Sequence, residues 1–197
     1  MFANVIVVDS FFEDPDSIVD LALKQKFYTV DDNPNNYKVN LSDSNKPISY
    51  LGARTLSLNE ILDKKECYKI NNKILSVFSL DIPNNCDISI DADISCLFHA
   101  LFEGDKYDEK WIHQDSVLYA GIIYLNKNLE SDTYGTLLNG KIIPYKFNRL
   151  VLYRADSLHA PMNGYGKYIN DSRLTLNIFI NKLIISLNNK LSNGSIV

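Results

Sequence analysis

The sequence predicts an α+β protein, mainly β: a β-sandwich or jelly roll with N-terminal helices packed on one face. Three observations predict it. Before Cys86 the apolar residues recur at helical spacing, as in SLNEILDKKECYKINNKILSVFSL, where Ile61, Leu62, Ile70, Ile74, Leu75 and Phe78 fall roughly at i, i+3, i+4 intervals. From Cys86 the period changes to two. In CDISIDADISC, Ile88, Ile90, Ala92, Ile94 and Cys96 alternate with Asp87, Ser89, Asp91, Asp93 and Ser95, as a strand with one buried face requires. Short β-rich runs then follow one another with turn formers between them. A layered β core with helices on one side satisfies all three.

The elements follow in chain order. ANVIVVD reads as a short buried strand. FFEDPDSIVDLALKQKF reads as a helix capped by Asp14 or Asp16, with Pro15 suited to its first turn and Ile18, Leu21, Ala22 and the aromatics around Phe27 on its apolar face. Residues 31–47 are rich in turn formers and read as a loop. One helix is expected over 57–80, ended by DIPNN. After the alternating strand come SVLYAGIIYL, KIIPYKF, RLVLYRA and RLTLNIFINKLI, with KNLESDTYG and NGYGKYINDS as turns. The whole reads as one domain, 1–197: a strand and helices to 85, a β core over 86–185 and a polar, fraying tail from 186.

Composition narrows the function. The chain is 46% hydrophobic and 22% charged, with a net charge of −4. That suffices for a core but supplies no Lys/Arg stripe, so nucleic-acid binding by counterion release is not expected. No run reaches the ~20 apolar residues of a membrane span. MFANVIVVDS carries neither a basic segment nor a small-residue cleavage site, so no signal peptide is expected. Cys67, Cys86 and Cys96 fit neither a zinc site nor a disulfide framework, and three reduced thiols in a cytoplasmic protein are expected.

The chemistry lies in three histidines. WIHQDS places His113 and Asp115 two residues apart, so on a strand they project to one face. His-x-Asp alone is weak evidence. His159 follows the apolar run RLVLY, at a strand end. Two histidines and a carboxylate on one side of an ion, with the other positions open, form the facial triad of non-haem Fe(II) oxygenases. Fourteen residues on, Arg173 opens the apolar strand RLTLNIFI. An arginine buried there needs an anion, and its fork suits a carboxylate. Thr175 shares its strand face.

His113-x-Asp115, IIYLN, YGT, NRLVLYRADSLH and Arg173-x-Thr175, in that order, resemble the core of the 2-oxoglutarate- and Fe(II)-dependent dioxygenases, most of all the prolyl-4-hydroxylase-like branch. The resemblance covers roughly residues 111–180. VVDSFFEDPDSIVDLALKQKF and YLGART are similar to small bacterial and phage members. The resemblance implies a double-stranded β-helix (jelly-roll) core with Fe(II) in its mouth, held by His113, Asp115 and His159. It implies 2-oxoglutarate as cosubstrate, its far carboxylate on Arg173, with Tyr124 and Thr175 beside it. It implies a hydroxylase that converts O2 and 2-oxoglutarate to CO2 and succinate while oxidising an organic or peptide substrate. Asp115 stands where halogenating relatives leave room for chloride, so halogenation is disfavoured. His99, beside no carboxylate motif, reads as structural, Trp111 as packing at a barrel rim, and Arg149 and Arg154 as surface charge. Only the resemblance suggests that Arg54 faces the site. The loop 160–172 reads as a substrate-side flap. Two rivals remain: a cupin-like metalloenzyme that does not use 2-oxoglutarate, and a jelly roll with a vestigial site acting as a binding module. Cupin sites need no Arg173, and a decayed site should have lost one of the ligands.

Overall fold

A computed structural model of the chain describes residues 4–35, 50–79, 86–127 and 131–189. Two antiparallel sheets face one another. The larger takes β1 (Val5–Val8), β2 (Ala53–Arg54), β3 (Cys86–Leu101), β4 (Tyr119–Tyr124), β7 (Leu150–Arg154) and β9 (Arg173–Asn189), in the order β1-β7-β4-β9-β3-β2. The smaller takes β5 (Ser131–Leu138), β6 (Lys141–Tyr145) and β8 (His159–Pro161), in the order β6-β5-β8. The fold is mainly β, a jelly-roll core with helices on one face, as the sequence predicts.

Strand alternation divides the molecule into two cores. On β9, Leu174, Leu176, Ile178 and Ile180 face the helices, while Arg173, Thr175, Asn177 and Phe179 face the smaller sheet. On β7, Leu150 and Leu152 face the helices, and Val151 and Tyr153 pack between the sheets. The helical layer consists of α1 (Pro15–Leu23), α2 (Leu58–Ile61) and α3 (Lys64–Leu75). Asp14 caps α1 by accepting from the Ser17 N–H, with Pro15 at the first position. The α3 stripe Cys67, Ile70, Ile74, Leu75 is buried against the larger sheet. Each such aliphatic side chain contributes about 1.5–3 kcal/mol by leaving water.

The departures from expectation have local causes. The stretch 57–80 is not one helix. Ser57 and Glu60 close a capping box on α2, Leu62 is extended, and Asp63 starts α3 by accepting from the Glu66 N–H; two N-caps six residues apart outcompete a continuous helix. A 3-10 turn, Ser76–Ser79, follows. β1 is an edge strand rather than a buried one, with Val7 47% exposed. Part of the expected turn 127–135 is β5: its Thr and Tyr side chains suit a strand, and the irregular pairing with β6 between Ser131 and Thr136 hides the alternation. β9 continues through Asn189, past the expected end of the core. DIPNN, most of the 31–47 loop and the tail from 190 lie outside the described residues.

Two features carry the site. The segment leading from β3 to β4 rejoins the smaller sheet at one residue pair, where His113 and His159 exchange N–H···O bonds of 3.0 and 2.9 Å. At the opposite edge of the larger sheet, Gly52 takes a positive φ of 67° with an added Cβ only 2.0 Å from the Ala100 carbonyl oxygen. Glycine alone permits that approach, and it brings Arg54 into register with His99.

Candidate metal centre

The bridge between His113 and His159 does more than extend a sheet. Directly paired residues project to the same face, so the pairing of their backbones brings the two imidazoles together, with ring centroids 4.3 Å apart. The Asp115 N–H, two residues on, donates to the Ala155 carbonyl at 2.9 Å. Gln114, between them, points the other way and donates to the Asp156 carbonyl. The result is a group of ligand atoms from His113, Asp115 and His159 all within 4.8 Å of one another.

The geometry fits a divalent ion. His113 Nε2 lies 3.7 Å from Asp115 Oδ1, and His159 Nε2 lies 3.3 Å from Asp115 Oδ2. Two ligand atoms each about 2.1 Å from an ion and at right angles stand about 3 Å apart. Each Nδ1 is engaged on the far side: His113 Nδ1 with the Trp111 carbonyl at 2.7 Å, His159 Nδ1 with the Ser157 carbonyl at 3.0 Å. A carbonyl only accepts, so each Nδ1 carries the proton and each Nε2 lone pair is turned to the centre. Burial works to raise the Asp115 carboxyl; His159, by hydrogen bond and charge, then His113 and Arg54, outweigh it and hold it below the usual carboxylate range. The ligand is ionised at neutral pH.

The centre opens into a cavity of about 560 Å³ between the sheets. Arg173 lies in its wall and is 2% exposed. Its Nε donates to the Tyr134 carbonyl at 2.6 Å, and its Nη2 donates to the Gly135 carbonyl at 2.8 Å and to Thr136 Oγ1 at 3.3 Å. All three partners are neutral, and among the described residues no ion pair includes Arg173. Asp171, the nearest acid in sequence, instead accepts from the N–H groups of Lys167 and Tyr168. Tyr124 is fully buried, its ring under the Arg173 guanidinium and its hydroxyl 2.9 Å from Thr136 Oγ1. Thr175 is placed differently: its hydroxyl donates to Asn177 Oδ1 at 2.7 Å, and it is Asn177, one step further along the face, that lines the cavity.

Sequence reasoning missed Thr136, Asn177 and the position of His99. His99 is not among the clustered ligands, yet it lines the cavity. Burial first, then the charges of Arg54 and Arg173, hold its pKa well below the usual imidazole value. The neutral ring therefore donates from Nε2 to the Leu51 carbonyl at 2.7 Å and faces the Asn177 amide with Nδ1 at 3.4 Å. Thr175, Asn177 and His99 form one polar chain across β9 and β3. Only register could have revealed it, since His99 is paired with Thr175. Trp111 lines the cavity mouth, and Arg54 lines it as well. Arg149 and Arg154 lie outside the cavity, on Asp9 and Asp156. The loop 160–172 is stitched down: Met162 and Asn163 donate to β5, Gly164 to Asp105, and Gly166 accepts from Glu103.

No family model matches the chain, and no curated protein matches it. Solved structures do match. A prolyl 4-hydroxylase from Phytophthora capsici aligns over 90% of this chain, at TM-score 0.54 and 14% identity. This chain spans 58% of that protein's length. A prolyl hydroxylase from Trichoplax adhaerens, solved with a hypoxia-inducible-factor peptide fragment, aligns over 90% of this chain and 83% of its own, at TM-score 0.52 and 14% identity. Identity this low speaks to fold. The fold is that of the prolyl-4-hydroxylase-like 2-oxoglutarate oxygenases, with a His-Asp-His cluster at its mouth.

Proposed function

We propose that the chain is an Fe(II)- and 2-oxoglutarate-dependent oxygenase that hydroxylates a C–H bond of a small molecule or peptide side chain. One observation carries the reading: a His-Asp-His cluster and a buried arginine that has no acidic partner among the described residues line a single cavity. Either feature alone has a bland explanation. Together they ask for a divalent cation and an anion in the same enclosed space.

The chain's own groups divide the work. His113 and His159 present Nε2 lone pairs because Trp111 and Ser157 carbonyls hold their Nδ1 protons. Asp115 adds a charged oxygen, and a divalent ion held by these three groups would keep room for further ligands. Ferrous iron with 2-oxoglutarate supplies the oxidising chemistry, in which O2 and the keto acid become succinate and CO2 as oxygen enters the C–H bond. Arg173 takes the far carboxylate. Tyr134 and Gly135 carbonyls fix the guanidinium from behind, and Thr136 and Tyr124 hydroxyls stand beside it. Ile122, Tyr153 and Phe179 line the same cavity and keep water from the reacting atoms.

The test is an anaerobic titration with Fe(II) and 2-oxoglutarate, watched for the visible charge-transfer band of a keto-acid–iron chelate. The band is expected in wild type and absent in His113→Ala. Iron-loaded, folded protein without the band would overturn the use of 2-oxoglutarate and leave a metalloenzyme of another kind. Failure to bind iron would leave a binding module.

A further inference from the structure

Arg54 lines the cavity and has no role in this reading. It sits on β2, at the edge of the larger sheet, in register with His99, which is in turn in register with Thr175. Paired residues share a face, so Arg54 projects into the space that Arg173 also lines. The side chain as a whole is partly accessible, because it borders the cavity. Its Nε is buried and has no hydrogen-bond partner. Its guanidinium lies over the Tyr50 ring, 4.4 Å from the centroid. Among the described residues no ion pair of its side chain offsets the charge.

The two arginines are not one clamp. Two strand spacings and two residues separate them on the sheet, which sets their Cα atoms roughly 12 Å apart. Arg173 turns to β5, where three neutral oxygens hold it. Arg54 turns to Tyr50. Its Nε is buried without a partner, which disfavours the charge, and burial lowers its pKa to about 10, with Tyr50 and Asp115 opposing; it stays charged at neutral pH. The electrostatics agree. A ferrous ion, Asp115, a dicarboxylate and Arg173 sum to no net charge, so Arg54 leaves one positive charge over in a closed space. His99 cannot answer it, since it is neutral and its ring is spent on Leu51 and Asn177. Lys110 also lines the cavity, but its ammonium is paired with Asp108 at 3.1 Å.

We infer that Arg54 binds the carboxylate of the primary substrate, and that this substrate is a small carboxylic acid of amino-acid size. This rests on the oxygenase reading for the identity of the second anion. The walls fit the size: about 560 Å³ suits a cosubstrate and one small molecule side by side. The Tyr50 ring backs the guanidinium, which provides two parallel donors for the substrate's carboxylate. Arg54 thereby fixes how far the oxidised carbon lies from the carboxylate.

The chain has a single tryptophan, Trp111, and it lines this cavity, so its fluorescence reports occupancy. The experiment titrates the full chain, saturated with 2-oxoglutarate, with the standard amino acids as free acids, the same amino acids as C-terminal amides, and an acetylated, amidated tripeptide bearing one aspartate. It is run on metal-free and on anaerobic Fe(II)-loaded protein. At least one free acid is expected to perturb Trp111, with its amide inert. Arg54→Met is expected to weaken that acid about thirtyfold or more, Arg54→Lys less, and both to leave the 2-oxoglutarate requirement within twofold. Equal binding of acid and amide, no binding by any free acid, or tighter binding of the tripeptide would overturn the inference. So would a raised 2-oxoglutarate requirement in Arg54→Lys, which would assign Arg54 to the cosubstrate. Acid binding without a charge-transfer band in wild type would sink the oxygenase reading and leave the carboxylate site standing.

Discussion

The two walls of the cavity are built from different sheets and do different jobs. The smaller sheet, with the segment that joins it at His113, carries the cation-binding groups: His113, His159 and, two residues from the bridge, Asp115. The larger sheet carries the positive charge, Arg54 on β2 and Arg173 on β9. They differ in construction too. The metal wall is made of short strands and a one-pair bridge, close to solvent, with the His113 side chain 50% exposed. In the anion wall Arg173 stands on a long strand locked between two cores, with Arg173 and Tyr124 among the largest fully buried side chains, while Arg54 stands on a two-residue edge strand. Rigid, dry surroundings make a charge selective for its counter-ion. A half-open mouth lets an ion and a gas enter.

The comparison breaks first if either wall does the other's work. His159→Ala is expected to remove the metal, beyond the roughly 10–100-fold that losing an outer-shell partner costs, and equilibrium dialysis against Fe(II) measures it. Arg173→Met is expected to leave Fe(II) affinity unchanged and to raise the 2-oxoglutarate requirement about thirtyfold or more, as truncating one side of a buried charge pair does; titration of the chelate band reads it. If Arg173→Met instead loses the ion, the two walls are not separable.

A third prediction contrasts the two histidines within the metal wall. The His159 side chain is 8% exposed and packs on Tyr153, ring centroids 4.9 Å apart. In metal-free protein, His159→Ala leaves a cavity and is expected to cost about 2 kcal/mol. His113→Ala at the open mouth is expected to stay within about 0.5 kcal/mol. Urea denaturation of both variants separates ligation from packing. Within the anion wall, Tyr124→Phe removes the hydroxyl bonded to Thr136. It is expected to raise the 2-oxoglutarate requirement by no more than about tenfold, the worth of one hydrogen bond.

The same division explains what the sequence could show. β3 alternates from Ile88 to Cys96 and β9 from Arg173 to Ile180, up to a register shift beside Asp93 and Ile94, so these stretches were readable, and Arg173 stood out as a cation in an apolar strand. The metal ligands were readable because His113 and Asp115 are close in sequence and the order of motifs resembles one family. β2, β5 and β8 were not found as strands. β2 and β8 are too short to show a period, and β5 contains a register irregularity. Thr136, Asn177 and His99 were missed for a related reason. Each enters the cavity through pairing across strands, and register is a property of two segments that neither displays alone. Arg54 needed the positive φ of Gly52 as well.

Outside the cavity the cations behave as surface cations should, and this supplies the smallest prediction and the control for the rest. Arg149 holds Asp9 in a two-pronged contact, Nε to Oδ1 at 2.6 Å and Nη2 to Oδ2 at 3.1 Å, with Lys146 on the same carboxylate at 2.9 Å. Those hydrogen bonds, Arg149 first and Lys146 second, lower the Asp9 pKa from 3.8 to about 2. A carboxylate with a depressed folded-state pKa stabilises the protein above its unfolded pKa and loses that contribution as pH falls through the folded one. Asp9 therefore contributes fully above about pH 4 and nothing below about pH 2. Its side chain is 41% exposed, so solvent screening cuts the contribution to about 1 kcal/mol or less. Asp9→Asn is expected to flatten the urea-measured stability between pH 4 and pH 2 by that amount. It should leave Fe(II) and 2-oxoglutarate binding untouched, because Asp9, Lys146 and Arg149 do not line the cavity. A change in either binding would mean that the charge of the cavity walls is set by the whole surface, and not by the two sheets that line it.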